Sequence, residues 1–144
     1  MKVQSLGHVV LKVRDRDRSE AFYKDVLGLP LVARMEKYKM SFFSLGNHHD
    51  FAIAEVGSEA ASADANMPGL AHVAFKVGDD LAALKRAKAD LDAAGVEIRA
   101  VDHGVSQSLY FNDPDGNGLE VYVDGSDAWR EDPQLVAHSE PLEI

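Results

Sequence analysis

One strand-like segment occurs twice in this chain, and this repeat constrains the fold more than any other feature. Residues 7–13 read Gly-His-Val-Val-Leu-Lys-Val, and residues 71–77 read Ala-His-Val-Ala-Phe-Lys-Val. Successive side chains of a β-strand point to opposite faces, so the histidine at the second position has the same orientation in both copies. The repeat predicts two copies of one structural unit, with His8 and His72 at equivalent places.

The segments that follow the two copies also correspond. In each, a helical pattern that ends at a glycine, Gly28 or Gly95, is followed by three strand-like runs separated by turn residues. We therefore predict an α+β fold built from two βαβββ modules, at about residues 3–56 and 70–124. Side by side, the modules would form a half-open, mixed, barrel-like sheet with a concave face.

The remaining segments have a different composition. Residues 57–69 are rich in Ala, Ser and Asp and end in Pro-Gly, which predicts a flexible linker. Residues 125–144 are acidic and have no clear period, so we expect a C-terminal tail on the surface. At 144 residues, the chain is long enough for one domain over residues 1–124 and this tail.

Composition excludes several classes of protein. The chain has no cysteine, so disulfides and thiolate metal sites are excluded. A formal net charge of -9 argues against nucleic-acid binding, which needs a basic surface. No run approaches the roughly 20 apolar residues of a membrane span. The N-terminus enters the first strand directly, leaving no room for a signal peptide, so we expect a cytoplasmic protein without a membrane partner.

Three possible metal ligands lie on equivalent strand faces. His8 and His72 oppose the apolar residues of their strands, and Glu120 opposes Leu119 and Val121 on the last strand of the second module. Two imidazoles and one carboxylate leave coordination positions open, which suits Fe(II) or Mn(II) better than structural zinc. A single histidine would more often only form a hydrogen bond, but the repeated pair with a glutamate in phase indicates a metal site in the concavity.

These features resemble the vicinal oxygen chelate superfamily, which includes glyoxalase I, fosfomycin-resistance enzymes, bleomycin-binding proteins and type I extradiol dioxygenases. The resemblance spans about residues 3–124 and includes the ending Leu-Tyr-Phe-Asn-Asp-Pro-Asp-Gly-Asn-Gly-Leu-Glu at residues 109–120. It implies that His8, His72 and Glu120 are metal ligands. A fourth ligand, a glutamate in glyoxalase I, falls at Ala52, which weakens a glyoxalase interpretation.

Three further residues resemble the ring-cleavage signature of the extradiol dioxygenases. His103 and Tyr110 match its histidine and tyrosine, and His49 matches a catalytic histidine. The resemblance implies an oxidoreductase that uses Fe(II), or alternatively Mn(II) or another divalent ion, to cleave a small aromatic catechol with O2. A histidine with an ordinary pKa near 6.5 could accept a substrate proton, the role we expect for His49. His103 and Tyr110 would contact the substrate.

Each of these three residues also has a simpler interpretation. Alternation puts His49 in phase with Phe51 and Ile53, away from the ligand face, unless a bulge intervenes, and His48-His49 could equally form a solvated turn. His103 could lie in an exposed loop, and Tyr110 could be a buried strand aromatic.

Two other functions stay open. One is a different metal-dependent enzyme of the superfamily, either a glyoxalase-like lyase or isomerase or a fosfomycin-type thiol transferase. The other is a metal-free protein that binds a drug. The modules could pair within one chain or swap between chains, and we expect a homo-oligomer, a dimer or higher.

Overall fold

The computed structural model describes residues 1–62, 64 and 66–144, and these form two compact units. Unit 1 consists of Met1–Asp64 together with Asp113–Asn117, and unit 2 consists of Ala65–Asn112 together with Gly118–Ile144. The predicted linker, residues 57–69, includes residues 63 and 65, which lie outside the described residues.

Unit 1 contains one four-stranded mixed sheet and one helix. Its sheet has the order β1-β4-β3-β2, in which β1 and β4 are parallel and the other neighbours are antiparallel. The helix α1 continues into a π-helical segment, and a short 3-10 turn joins β2 to β3. The bounds are β1 (Val9–Val13), α1 (Arg16–Ala21), the π-helical segment (Phe22–Val26), β2 (Leu31–Met35), the 3-10 turn (Glu36–Tyr38), β3 (Met40–Phe43) and β4 (Phe51–Glu55).

The local chemistry explains how α1 begins and packs. The side chain of Asp15 accepts a hydrogen bond from the backbone N–H of Arg18 at 2.9 Å, which satisfies a free donor of the first turn. Tyr23, in the π-helical segment, is fully buried against Phe43 and Phe51. The face of the sheet that carries Phe43 and Phe51 therefore packs on this helical segment.

Unit 2 repeats this arrangement and adds a strand. Its sheet has the order β5-β8-β7-β6-β9, with β5 and β8 parallel and the other neighbours antiparallel. Asp80 caps its helix by accepting from the N–H of Ala83 at 2.7 Å. The bounds are β5 (Val73–Gly78), α2 (Leu81–Ala93), β6 (Arg99–Asp102), β7 (Ser106–Asn112), β8 (Gly118–Asp124) and β9 (Glu140–Pro141), with 3-10 turns at Ala128–Arg130 and Pro133–Ala137.

The predicted α+β class and the βαβββ order of each unit are confirmed. Two details differ from the prediction. Strand β1 begins at Val9, not Val3, since residues 1–8 are exposed and form no ladder among the described residues. Within the tail, β9 pairs with β6 through only two residue pairs, which is too short for a periodic signal in the sequence. In the described part of the chain, no helix is long and apolar enough to cross a membrane.

Candidate functional site

Unit 2 brings two of the predicted ligands into contact. His72 Nε2 lies 3.1 Å from Glu120 Oε2. The parallel ladder opposes Ala74 to Glu120, and His72, which directly precedes β5, contacts the carboxylate from the end of this ladder. A Cβ atom on Gly118 would overlap the carbonyl oxygen of Ala71, so β8 can approach the residue before His72 this closely only with a glycine there.

The Glu120 carboxylate is buried and held by a second side chain. Its exposed fraction is 7%, and its Oε1 accepts a hydrogen bond of 2.6 Å from Ser108 Oγ, while Oε2 faces His72. A buried carboxylate is costly unless it is hydrogen-bonded and near a positive charge. An imidazole nitrogen and a carboxylate oxygen this close are a donor set that fits a divalent metal, with Ser108 as the group that orients the carboxylate.

Tyr110 lies next to this pair and is linked to His103. The antiparallel ladder of β7 and β8 opposes Tyr110 to Glu120, and the Tyr110 hydroxyl lies 2.9 Å from His103 Nε2. Partial burial, followed by the negative charge of Glu120, raises the pKa of Tyr110, so the hydroxyl keeps its proton at neutral pH. Of the two interpretations of Tyr110, the structure therefore supports a half-buried polar residue on the face that carries Glu120.

The C-terminal tail determines how the His103 ring is oriented. His103 Nδ1 lies 2.8 Å from the backbone carbonyl oxygen of His138. A carbonyl only accepts hydrogen bonds, so Nδ1 must carry the proton and, in the neutral ring, Nε2 must accept from the Tyr110 hydroxyl. Side-chain pattern could not have indicated this contact, because it uses a backbone atom that every residue possesses.

Unit 1 holds a cluster of three histidines. The rings of His8 and His49 lie 4.2 Å apart between centroids, and a ligand nitrogen from each of His8, His48 and His49 lies within 4.8 Å of the others. His49 is half-buried against the edge of Phe42. Burial, followed by the neighbouring His8 and His48, lowers the pKa of His49, so this ring is neutral at pH 7.

Strand alternation predicted that His49 would point the same way as Phe51 and Ile53, unless a bulge intervened. His49 precedes β4, which begins at Phe51, so its side chain does not follow the phase of the strand. Phe51 and Ile53 are buried in the core, whereas the His49 ring turns to His8.

Ala52 is the counterpart of Glu120 in unit 1. The parallel ladder opposes Val10 to Ala52 in β1 and β4, as it opposes Ala74 to Glu120 in β5 and β8. His8 precedes Val10 by two residues, as His72 precedes Ala74. Ala52 is fully buried and offers no ligand atom at the position equivalent to Glu120.

Two residues of these clusters were not singled out from the sequence. Ser108 has the strand phase of Tyr110 and is a diagonal neighbour of Glu120 in the ladder, a signal that was readable once β7 and β8 were paired. His48 was considered only as part of a solvated turn, because no periodicity applies to a loop residue.

Comparison with known proteins identifies the family. A family model of the Glyoxalase/Bleomycin resistance protein/Dioxygenase superfamily matches residues 5–121. A biphenyl-2,3-diol 1,2-dioxygenase 3 from Rhodococcus globerulus is 35% identical over 123 residues, which cover 83% of this chain and 63% of that protein. A catechol-2,3-dioxygenase from Bacillus subtilis (strain 168) is 32% identical over 119 residues, 83% of this chain and 41% of that protein. The chain thus spans less than two thirds of these dioxygenases.

Other relatives have different names. A lactoylglutathione lyase from Salmonella typhimurium is 29% identical over 130 residues, which cover 87% of this chain and 96% of that protein. Among solved structures, a glyoxylase/bleomycin resistance protein/dioxygenase domain from Frankia sp. EAN1pec has a TM-score of 0.73 at 23% identity, covering 86% of this chain and 100% of that chain. The likeness to that structure concerns the fold alone. With its two βαβββ units and a family match over most of its length, this chain belongs to the Glyoxalase/Bleomycin resistance protein/Dioxygenase superfamily.

Proposed function

We propose that this protein is a metal-dependent extradiol-type dioxygenase, which cleaves the ring of a catecholic compound with O2 beside the two hydroxyl groups. The observation that carries the proposal is the set of side chains on one face of unit 2. His72 contacts Glu120, and next to them Tyr110 bonds to His103. A site that only bound a metal would not need the second pair.

The proposed metal ligands are His8, His72 and Glu120. Their donor atoms suit Fe(II), and Mn(II) or another divalent ion is the alternative. When bound, such an ion would supply Lewis acidity toward the catechol oxygens and, as Fe(II), electrons for O2. Ser108 keeps the Glu120 carboxylate oriented, since its hydroxyl donates to Oε1 and leaves Oε2 available.

The proposed catalytic residues are His49, His103 and Tyr110, and the side chain of each can accept or donate a proton. His49 has a lowered pKa and is neutral, so it can accept the proton of a catechol hydroxyl and later return it. The Tyr110 hydroxyl lies 2.9 Å from His103 Nε2 and on the face that carries Glu120, so it is placed to form a hydrogen bond with a substrate oxygen. The two dioxygenase relatives, at 32% and 35% identity, support a dioxygenase activity.

A lactoylglutathione lyase-like activity is the second candidate. It is favoured by the relative from Salmonella typhimurium, which this chain matches over 96% of its length. It is disfavoured by Ala52, which supplies no fourth ligand, and it gives no task to His103. A fosfomycin-type thiol transferase or a metal-free drug-binding protein would likewise not require the Tyr110–His103 pair.

The test is anaerobic reconstitution with Fe(II), addition of a panel of catechols and admission of air. We expect a yellow ring-cleavage product and O2 consumption, and the same preparation is assayed for formation of lactoylglutathione. Metal binding without colour, together with lyase activity, would replace the proposal by the second candidate. Failure to bind any divalent metal would favour a binding protein.

Two matched sets of variants separate ligands from proton-transfer groups. His72→Ala and Glu120→Ala should abolish metal uptake, whereas His49→Ala should retain metal and lose turnover. Equal loss of metal in all three would contradict this division.

We also propose a cytoplasmic homo-oligomer, and light scattering on the purified protein measures its mass in solution.

A further inference from the structure

A cleft in unit 2 extends from the predicted ligand His72 to a cation. Its volume is 610 Å³, within the usual range for small-molecule sites, and its lining includes His72, Tyr110, Glu97 and Arg99. The ladders oppose Arg99 to Tyr110 and Tyr110 to Glu120. Glu120, Tyr110 and Arg99 therefore form a row across three adjacent strands, all on one face of the sheet.

The Arg99 guanidinium is held in place but has no anionic partner. Its Cζ lies 4.8 Å from the centre of the Tyr110 ring, a stacking distance. The side chain is exposed, and among the described residues it forms no ion pair, although Glu97 lines the same cleft. Stacking uses the flat face of the guanidinium and leaves its N–H edges free, and these edges match the two oxygens of a carboxylate.

From this row we propose that Arg99 is a specificity-determining residue, which binds a carboxylate substituent on the ring of the substrate. The inference rests on the proposed function and names its substrate class, a catechol that carries a short carboxylate side chain. Two strand spacings of about 4.8 Å separate Glu120 from Arg99. That span is comparable to a benzene ring with a short substituent, so one molecule can reach both the diol-binding side and the cation.

Glu97 provides a control of opposite sign. Glu97 lines the same cleft, and its negative charge would repel an anionic substituent, so only a substituent that reaches the guanidinium edge gains from the site. Removing the Glu97 charge should therefore strengthen the preference for the anionic substrate, whereas removing the Arg99 charge should weaken it. A purely structural Arg99, which only braces Tyr110, would affect charged and neutral substrates equally.

The experiment compares matched pairs of catechols on the Fe(II)-loaded protein. One pair is 3,4-dihydroxyphenylacetate and 4-methylcatechol, and the other is 3-(2,3-dihydroxyphenyl)propanoate and 3-propylcatechol. Anaerobic binding and kcat/KM are measured for the wild type, Arg99→Gln and Glu97→Gln. We expect the wild type to prefer the anionic member of at least one pair. The ratio of kcat/KM for the anionic and the neutral member should fall about tenfold in Arg99→Gln and rise in Glu97→Gln.

Each outcome decides the inference. An unchanged preference in Arg99→Gln for both pairs, with catechol cleavage intact, overturns the role of Arg99 and leaves the proposed function standing. No binding or cleavage of any catechol by metal-loaded protein overturns the proposed function and this inference with it. Arg99→Lys keeps the charge without the planar fork, so a partial loss of preference is expected there, and it serves as the test if Arg99→Gln does not fold.

Discussion

Substitution of Ser108 by alanine tests whether the buried carboxylate is oriented for a metal. The Ser108 hydroxyl donates to Glu120 Oε1 at 2.6 Å, and both residues are buried. A hydrogen bond to a charged group contributes about 1.5–3 kcal/mol, and water cannot easily replace the hydroxyl at this site. We expect Ser108→Ala to lower the free energy of unfolding of the metal-free protein by about that amount.

The same substitution should weaken metal binding, because the carboxylate loses the contact that fixes its rotation. Groups that orient a metal ligand typically contribute about 10- to 100-fold to affinity. A ligand that binds only the folded state adds RT ln(1 + [L]/Kd) to the free energy of unfolding, so a variant that binds metal more weakly gains less from it. The difference in free energy of unfolding between Ser108→Ala and wild type should therefore be larger with metal than without it. Urea unfolding with and without metal, together with direct titration, measures both effects.

Ser106 provides the matched control. It lies two residues away on the same strand and face, and within the described part of the chain its hydroxyl makes no hydrogen bond. Ser106→Ala should change the free energy of unfolding by less than about 0.5 kcal/mol and leave the metal affinity unaltered. If Ser108→Ala binds metal as tightly as Ser106→Ala, the reasoning that makes Glu120 an oriented ligand is refuted.

Four further outcomes follow from single contacts. Gly118→Ala should force β8 away from β5, lower stability by about 1–3 kcal/mol in thermal unfolding and weaken metal binding; an unchanged Tm would contradict the close approach. His48→Ala should retain metal with little change in titration, whereas loss of all binding would identify the three-histidine cluster as the site. Arg34, by its hydrogen bonds, lowers the pKa of Glu20 from its usual value of 4.5, so the ionised carboxylate stabilises the fold above pH 4.5, and this stabilisation is lost as the pH falls through the lowered pKa. Glu20→Gln should flatten that part of the curve of stability against pH. An identical curve in the variant would show that the Glu20–Arg34 ion pair does not stabilise the fold. Deletion of residues 126–144 should keep metal binding but reduce kcat, since His103 loses its carbonyl acceptor, and full activity would remove the tail from the site.

Much of the fold was readable from local pattern. The repeated strand with its histidine predicted the duplication, and both helical patterns end as expected at Gly28 and Gly95, which have positive φ. These features depend on neighbours a few residues apart, so periodicity and capping chemistry are sufficient to find them.

The candidate site was readable only in part. Alternation put His72 and Glu120 on corresponding faces, and the register of β7 and β8 adds Tyr110 as a neighbour of Glu120. Alternation was misleading for His49, which precedes its strand and turns to His8. Strand alternation predicts the direction of a side chain only where a ladder fixes the backbone, so it does not apply to loop residues.

The sequence by itself determined that two equivalent segments carry equivalent histidines, that Ala52 stands where a counterpart of Glu120 would be, and that no thiolate can take part. Only the tertiary structure decided that Ser108 holds the carboxylate, and that a carbonyl from the tail sets the proton on His103. These contacts join residues that are far apart in the chain, or use backbone atoms common to all residues. Their existence depends on strand pairing and register, which side-chain periodicity along one segment does not encode.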